Sequence, residues 1–156
     1  RLESSILECI SLIFTDIEHS PENTFTHQID YGKVKVGNRY LKLTVTDIKS
    51  IQRAHDLLIE NFATPPTIEK LSELVMLHPQ KLKAGFQHYY HMTIGEFITT
   101  HRLSIATNLL CTTEMSIADI AKHVGYPYPS NFIKTFKKLT SFTPNGYRKR
   151  LTEFNQ

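Results

Sequence analysis

Between Ile120 and Thr152 lie seven bases (Lys122, Lys134, Lys137, Lys138, Arg148, Lys149 and Arg150) and no acid. A tract of one sign and this length suits a polyanion; the plain alternative is a solvated basic surface. Charge is uneven over the whole chain. Residues 1–46 hold five Lys/Arg against six Asp/Glu, and residues 47–156 hold thirteen against nine. Two runs add side chains able to read base edges. "HPQKLKAGF" offers His78, Gln80, Lys81, Lys83 and Ala84, and "PSNFIKTF" offers Pro129, Ser130, Asn131, Ile133 and Lys134. Glutamine can bond adenine bidentately, and lysine can donate to guanine N7 and O6.

Other groupings point to less. His88 and His91 have a helical i,i+3 spacing that could hold a metal, but no third ligand accompanies them, so no metal is expected. Cys9 and Cys111 lie far apart without paired spacing and read as buried free thiols. No Ser-His-Asp set, phosphate-cradling glycine loop or HExxH run is present. Neither catalytic residues nor cofactors are therefore expected, and the chain is not read as an enzyme. No apolar run is long enough for a membrane span, and a cytoplasmic location is expected.

The candidate residues need elements to hold them. Apolar residues at Leu2, Ile6, Leu7, Ile10, Ile13 and Phe14 have helical spacing. "KVKVGNRYLKL" alternates about Gly37-Asn38 and can form a β-hairpin. From Asp47 onward the pattern is helical. Asp47 is placed as an N-cap, with Ile48, Ile51, Ala54, Leu58 and Phe62 inward. Thr67 caps a short helix with Ile68, Leu71, Leu74 and Val75 inward. A third helix spans about 79–90 with Leu82, Phe86 and Tyr89 inward. Thr93 and Glu96 form a capping box opening a long helix over 94–111. Ser116 with Asp119 begins a fifth helix; a sixth covers about 129–139, and a seventh about 144–152.

Two of these segments are copies. "TIEKLSELVML" from Thr67 matches "SIADIAKHVGY" from Ser116, pairing Ile68 with Ile117, Leu71 with Ile120, Ser72 with Ala121 and Val75 with Val124. Each copy then reaches a phenylalanine, Phe86 or Phe136, on the following helix. One supersecondary unit thus occurs twice, about fifty residues apart. Its form is a helix-turn-helix. Gly125 suits a turn residue of positive φ, and Val124, Phe132 and Phe136 seal the helix pair, leaving the opposite face of the second helix outside.

"SIADIAKHVGYPYPSNFIKTFKKLTSFTPNGYRK" resembles the second helix-turn-helix signature of the AraC/XylS family of bacterial transcription regulators. "LKAGF" followed by "IGEFITTHRLSIATNLL" is similar to the end of the first. The resemblance covers about residues 47–153, and "LKAGF" resembles the siderophore-responsive, pyochelin-regulator-like branch. It implies an all-α, seven-helix module: two helix-turn-helix subdomains (67–91 and 116–140) joined by a long helix (94–111). A helix and a hairpin or linker over 1–46 would be the remnant of an N-terminal sensor and dimerisation domain. Two recognition helices would enter successive major grooves of duplex DNA. The implied base contacts are Gln80, Lys81, Lys83, Ala84, Ser130, Asn131 and Lys134. The implied phosphate contacts are Thr67, Ser116, Lys137, Lys138, Thr143, Arg148 and Lys149. An activator is expected, with RNA polymerase, a small-molecule effector acting through the sensor, and a second copy as partners. Arg102, Glu96 and Tyr126 are expected in structural roles. The sequence departs from the pattern at Met76, His91 and Ser141, where glycines are usual, and at Ala84, where a base is common. Those departures motivate a competing reading, a protein-interaction module that keeps the fold without reading DNA.

Overall fold

The computed structural model describes residues 32–155; the helix expected over residues 2–14 lies outside them. Among the described residues there are two strands, β1 (Lys33–Val36) and β2 (Arg39–Lys42), and seven helices. The helices are α1 (Val45–Glu60), α2 (Ile68–Val75), α3 (Pro79–Tyr90), α4 (Ile94–Thr112), α5 (Ile117–His123), α6 (Pro129–Thr140) and α7 (Pro144–Phe154). The fold is the all-α double helix-turn-helix expected, with one small antiparallel hairpin added. The chain divides into two compact units, the described parts of which are residues 32–61 with 65–98, and residues 62–64 with 99–155.

In the first unit, Gly37 turns the hairpin at φ 60°, the positive angle that the leading position of a two-residue turn requires. The Leu43 amide donates to the Gly32 carbonyl at 3.0 Å and closes the ribbon. Val34 and Leu43 are buried in one cluster with Ile48, Ile51, Ala54, Leu58, Leu71, Val75, Leu82, Phe86 and Phe97. The hairpin is thus a packed part of this unit rather than a free linker. That anchorage explains how a two-stranded ribbon, marginal alone, persists.

The N-cap of α1 is Thr44, not Asp47. The Asp47 amide donates to the Thr44 hydroxyl at 3.1 Å, and the Thr44 amide donates to the Asp47 carboxylate at 2.8 Å. This reciprocal pair is a capping box, which satisfies two amides at once and so begins the helix earlier. Leu74, expected inward, is 51% exposed. Buried Ser72 takes the inner position beside Leu71 and Val75.

In the second unit Leu103, Ala106, Leu110, Ile120, Ala121, Val124, Phe132, Phe136 and Tyr147 form the core. Phe132, Phe136 and Tyr147 are rings in sequential contact, with centroids 5.7 Å apart at each step. Burying each such side chain stabilises the unit by about 1.5–3 kcal/mol. Cys111, expected buried, is exposed; it follows inward Leu110, and one helical step turns it outward. Cys9 lies outside the described residues.

Candidate nucleic-acid interface

Both candidate probe helices are held by the same turn. At the end of α2 the Leu77 amide donates to the Ser72 carbonyl and the Met76 amide to the Glu73 carbonyl. After α5 the Tyr126 amide donates to the Ala121 carbonyl and the Gly125 amide to the Lys122 carbonyl. This double closure is the Schellman arrangement, which needs a left-handed residue after the helix. Met76 supplies it at φ 55° and Gly125 at φ 93°. The duplication seen in sequence is therefore a duplication of backbone hydrogen bonding. Gly125 has a second constraint: a Cβ there would come within 2.8 Å of the Ala63 Cα and meet the Ala63 carbonyl.

The turn delivers α3 with Leu82, Gly85 and Phe86 buried. Helical period puts Gln80, Lys83, Ala84 and Gln87 on the opposite side; Gln80, Lys83 and Gln87 are exposed and Ala84 is half-buried. Pro79 stands in the first turn, and the His78 Nδ1 accepts from the Gln80 amide at 3.3 Å. Lys81 sits on the flank. Its ammonium pairs with the Asp47 carboxylate at 2.6 Å, both side chains being largely covered. Burial pushes the Asp47 pKa up, but the Lys81 ammonium and the bonds from Thr44 outweigh this and hold it below its ordinary value. Lys81 is thus tied to α1. Gln87, one turn beyond Lys83, was not singled out from the sequence, although its i+4 spacing marks it. Lys83 and Gln87 also border a groove of about 380 Å³ lined by Ile68, Thr93, Ile94 and Gly95.

The turn delivers α6 with Phe132, Phe136 and Thr140 buried. Ser130, Asn131, Lys134 and Lys138 lie opposite that buried face, with Lys137 on the flank and Ile133 nearer the core edge, and all six are exposed. Tyr128, the N-cap residue of α6, is exposed as well. Neither α3 nor α6 contains an acid. Three expected contacts are helix caps: the hydroxyls of Thr67, Ser116 and Thr143 accept from the amides of Lys70, Asp119 and Gly146 at 3.2, 3.1 and 3.1 Å. All three caps are exposed, as is Lys149. Arg148 is half-buried. Its Nε donates to the Leu110 carbonyl at 3.3 Å and its Nη2 to the Thr113 carbonyl at 3.4 Å. Arg102 grips the chain similarly, through the Phe62 and Ala63 carbonyls at 2.8 and 3.2 Å, and lies 5.3 Å over the Tyr126 ring. Glu96 accepts from the Thr93 amide in the expected capping box. His88 lies against Gly32, and His91 ends α3 at φ 58°.

A family model described as a helix-turn-helix domain matches residues 71–150. The chain is 33% identical to the regulatory protein SoxS of Salmonella typhimurium over 101 residues, 65% of this chain and 94% of SoxS. It is 26% identical to the regulatory protein PocR of the same organism over 148 residues, 91% of this chain but 43% of PocR. With the melibiose operon regulatory protein of Escherichia coli the identity is 34% over 92 residues, 30% of that protein. Among solved structures, the C-terminal domain of AraT, a response regulator from Geobacillus stearothermophilus, superposes with TM-score 0.62 at 28% identity, covering 65% of this chain and 84% of that one. The DNA-binding domain of AdpA, solved with a target DNA, shares the fold at TM-score 0.63 and 17% identity, covering 67% and 95%. The chain belongs to the AraC family of DNA-binding helix-turn-helix transcription regulators. It spans less than half the length of the longer relatives. Among the described residues no helix is long and apolar enough to cross a membrane.

Proposed function

We propose that the chain regulates transcription by setting α3 and α6 into successive major grooves on one face of duplex DNA. The observation that carries this reading is a matched pair of helices. Each buries one face completely through Leu82 and Phe86, or Phe132 and Phe136, and turns out a polar, acid-free stripe. Gln80, Lys83 and Gln87 on α3, and Ser130, Asn131 and Lys134 on α6, are the base-reading groups. Ala84 offers a methyl contact at most. Lys81 reaches DNA only by exchanging Asp47 for it. Lys137, Lys138, Lys149 and the amides at Thr67, Ser116 and Thr143 take phosphates; Arg148 first fixes the end of α4 and reaches DNA only with its remaining donors.

The mode of action proposed with it is an activator contacting RNA polymerase, governed by a small-molecule effector through a preceding sensor domain and able to pair with a second copy. Residues 1–31 belong to or follow that sensor, and the hairpin, packed into the first unit, belongs with the helices in the DNA-binding part. The protein is cytoplasmic and carries out no catalysis. Fluorescence-anisotropy titration of a duplex selected from a random pool, against unselected duplex at several salt concentrations, tests this reading. Tighter binding to the selected duplex at moderate salt supports it; equal binding to both is the result that rejects it in favour of a protein-interaction module.

A further inference from the structure

The hairpin before α1 has a surface that the two probe helices leave unused. Its register pairs Lys33 with Lys42 and Lys35 with Tyr40. Cross-strand partners share a face, so these four side chains stand together, and all four are exposed. The other face turns Val34 into the core, with Val36 packed against it. From Gly32 to Thr46 there are four bases, Lys33, Lys35, Arg39 and Lys42, and no acid. Among the described residues none of the four is paired with a carboxylate. Lys33 directly opposite Lys42 is a repulsive pair, which weakens a ribbon unless an anion lies over it. β1 packs along α3, and Gly32 backs onto the His88 imidazole. The strand therefore stands beside the first probe helix, its Val34 face turned to the core and its cationic face turned outward.

We propose that this hairpin is a third DNA contact, in which Lys33, Lys35 and Lys42 bind phosphates of the strand flanking the groove that α3 enters. Tyr40 adds a hydroxyl donor to the same backbone. The inference rests on the reading of α3 as a DNA probe. Two residues of strand rise separate Lys33 from Lys35 by about 6.8 Å, of the order of the step between successive phosphates. The face carries ammonium groups and no planar amide or guanidinium, so it supplies affinity and salt dependence rather than sequence reading.

The test uses the whole chain and a duplex selected from a random pool, titrated between about 50 and 300 mM salt. Each phosphate contact steepens the log–log salt slope by about 0.9, so K33Q/K35Q/K42Q should flatten it by about 2.7. Preference for selected over random duplex should be unchanged, and K33R/K35R/K42R should keep the original slope. If the glutamine variant keeps its slope while the unsubstituted chain discriminates, the hairpin proposal alone is overturned. It is equally overturned if the arginine variant also loses slope, because hairpin integrity rather than charge would then be responsible, or if the glutamine variant loses its sequence preference. A chain that never discriminates between duplexes overturns both this inference and the reading beneath it.

Discussion

Replacing Met76 by glycine removes a side chain that is 91% exposed and contributes almost no buried surface. It also relieves a left-handed backbone at φ 55°, ψ 44°. For an L-residue that conformation costs about 1–2 kcal/mol, while glycine gives back about 0.5–1 kcal/mol through the greater entropy of the unfolded chain. The net expectation is a gain of about 0.5–1 kcal/mol for M76G. The equivalent turn gives the opposite sign. G125A adds a Cβ against the Ala63 backbone and imposes positive φ on alanine, so it should cost about 2 kcal/mol or more. The sequence has no tryptophan, so urea and thermal unfolding are best followed by far-ultraviolet circular dichroism. M76G should raise the melting temperature by about 1–4 °C. If M76G is neutral or destabilising while G125A is harmless, the claim that both units close by one strained turn is wrong.

Three further outcomes follow. Asp47 titrates below its ordinary 3.8 in the folded state, so the stability it contributes is fully present above that value and is lost as pH falls through the lower folded value. D47N should therefore flatten the acid limb of a stability-against-pH curve, and K81M should shift that limb upward. R102A and R148A each abandon two carbonyl acceptors and should lower stability by about 1–3 kcal/mol, whether or not DNA is present, as unfolding titrations will show. K134A should cost about 1–3 kcal/mol in binding to the preferred duplex with unchanged melting; an unaltered anisotropy isotherm would remove Lys134 from the interface.

The duplicated unit was legible because its cues are local: a hydroxyl cap, two apolar residues, a small residue, then valine at fixed spacing. The capping box at Thr93, the hydroxyl cap at Ser116 and the proline-led starts of α3, α6 and α7 are local in the same sense. What escaped depends on contacts distant in sequence. Thr44 and Asp47 both suit an N-cap, and only the reciprocal bond distinguishes cap from third residue. The alternation around Gly37-Asn38 marked a hairpin, but burial of Val34 beside Leu82 and Phe86 comes from the tertiary fold. The same holds for the site. The stripes of α3 and α6 follow from helical period, whereas the tethering of Lys81 by Asp47 and of Arg148 by two carbonyls does not. A basic residue has no sequence mark that separates a phosphate ligand from a helix clamp. The three residues that depart from the family's glycines all take positive φ, at 55°, 58° and 67°. The backbone path of the turns is therefore kept at a local energetic cost, and the departures are not erosion of the fold.

Methylation interference at guanine N7 on a selected duplex tests the account most directly, because it reports major-groove occupancy base by base. Two clusters of interference on one face, about ten to eleven base pairs apart, are expected, with K83A weakening one and K134A the other. A single cluster unaffected by either substitution, or interference confined to phosphates with none at base edges, would contradict it.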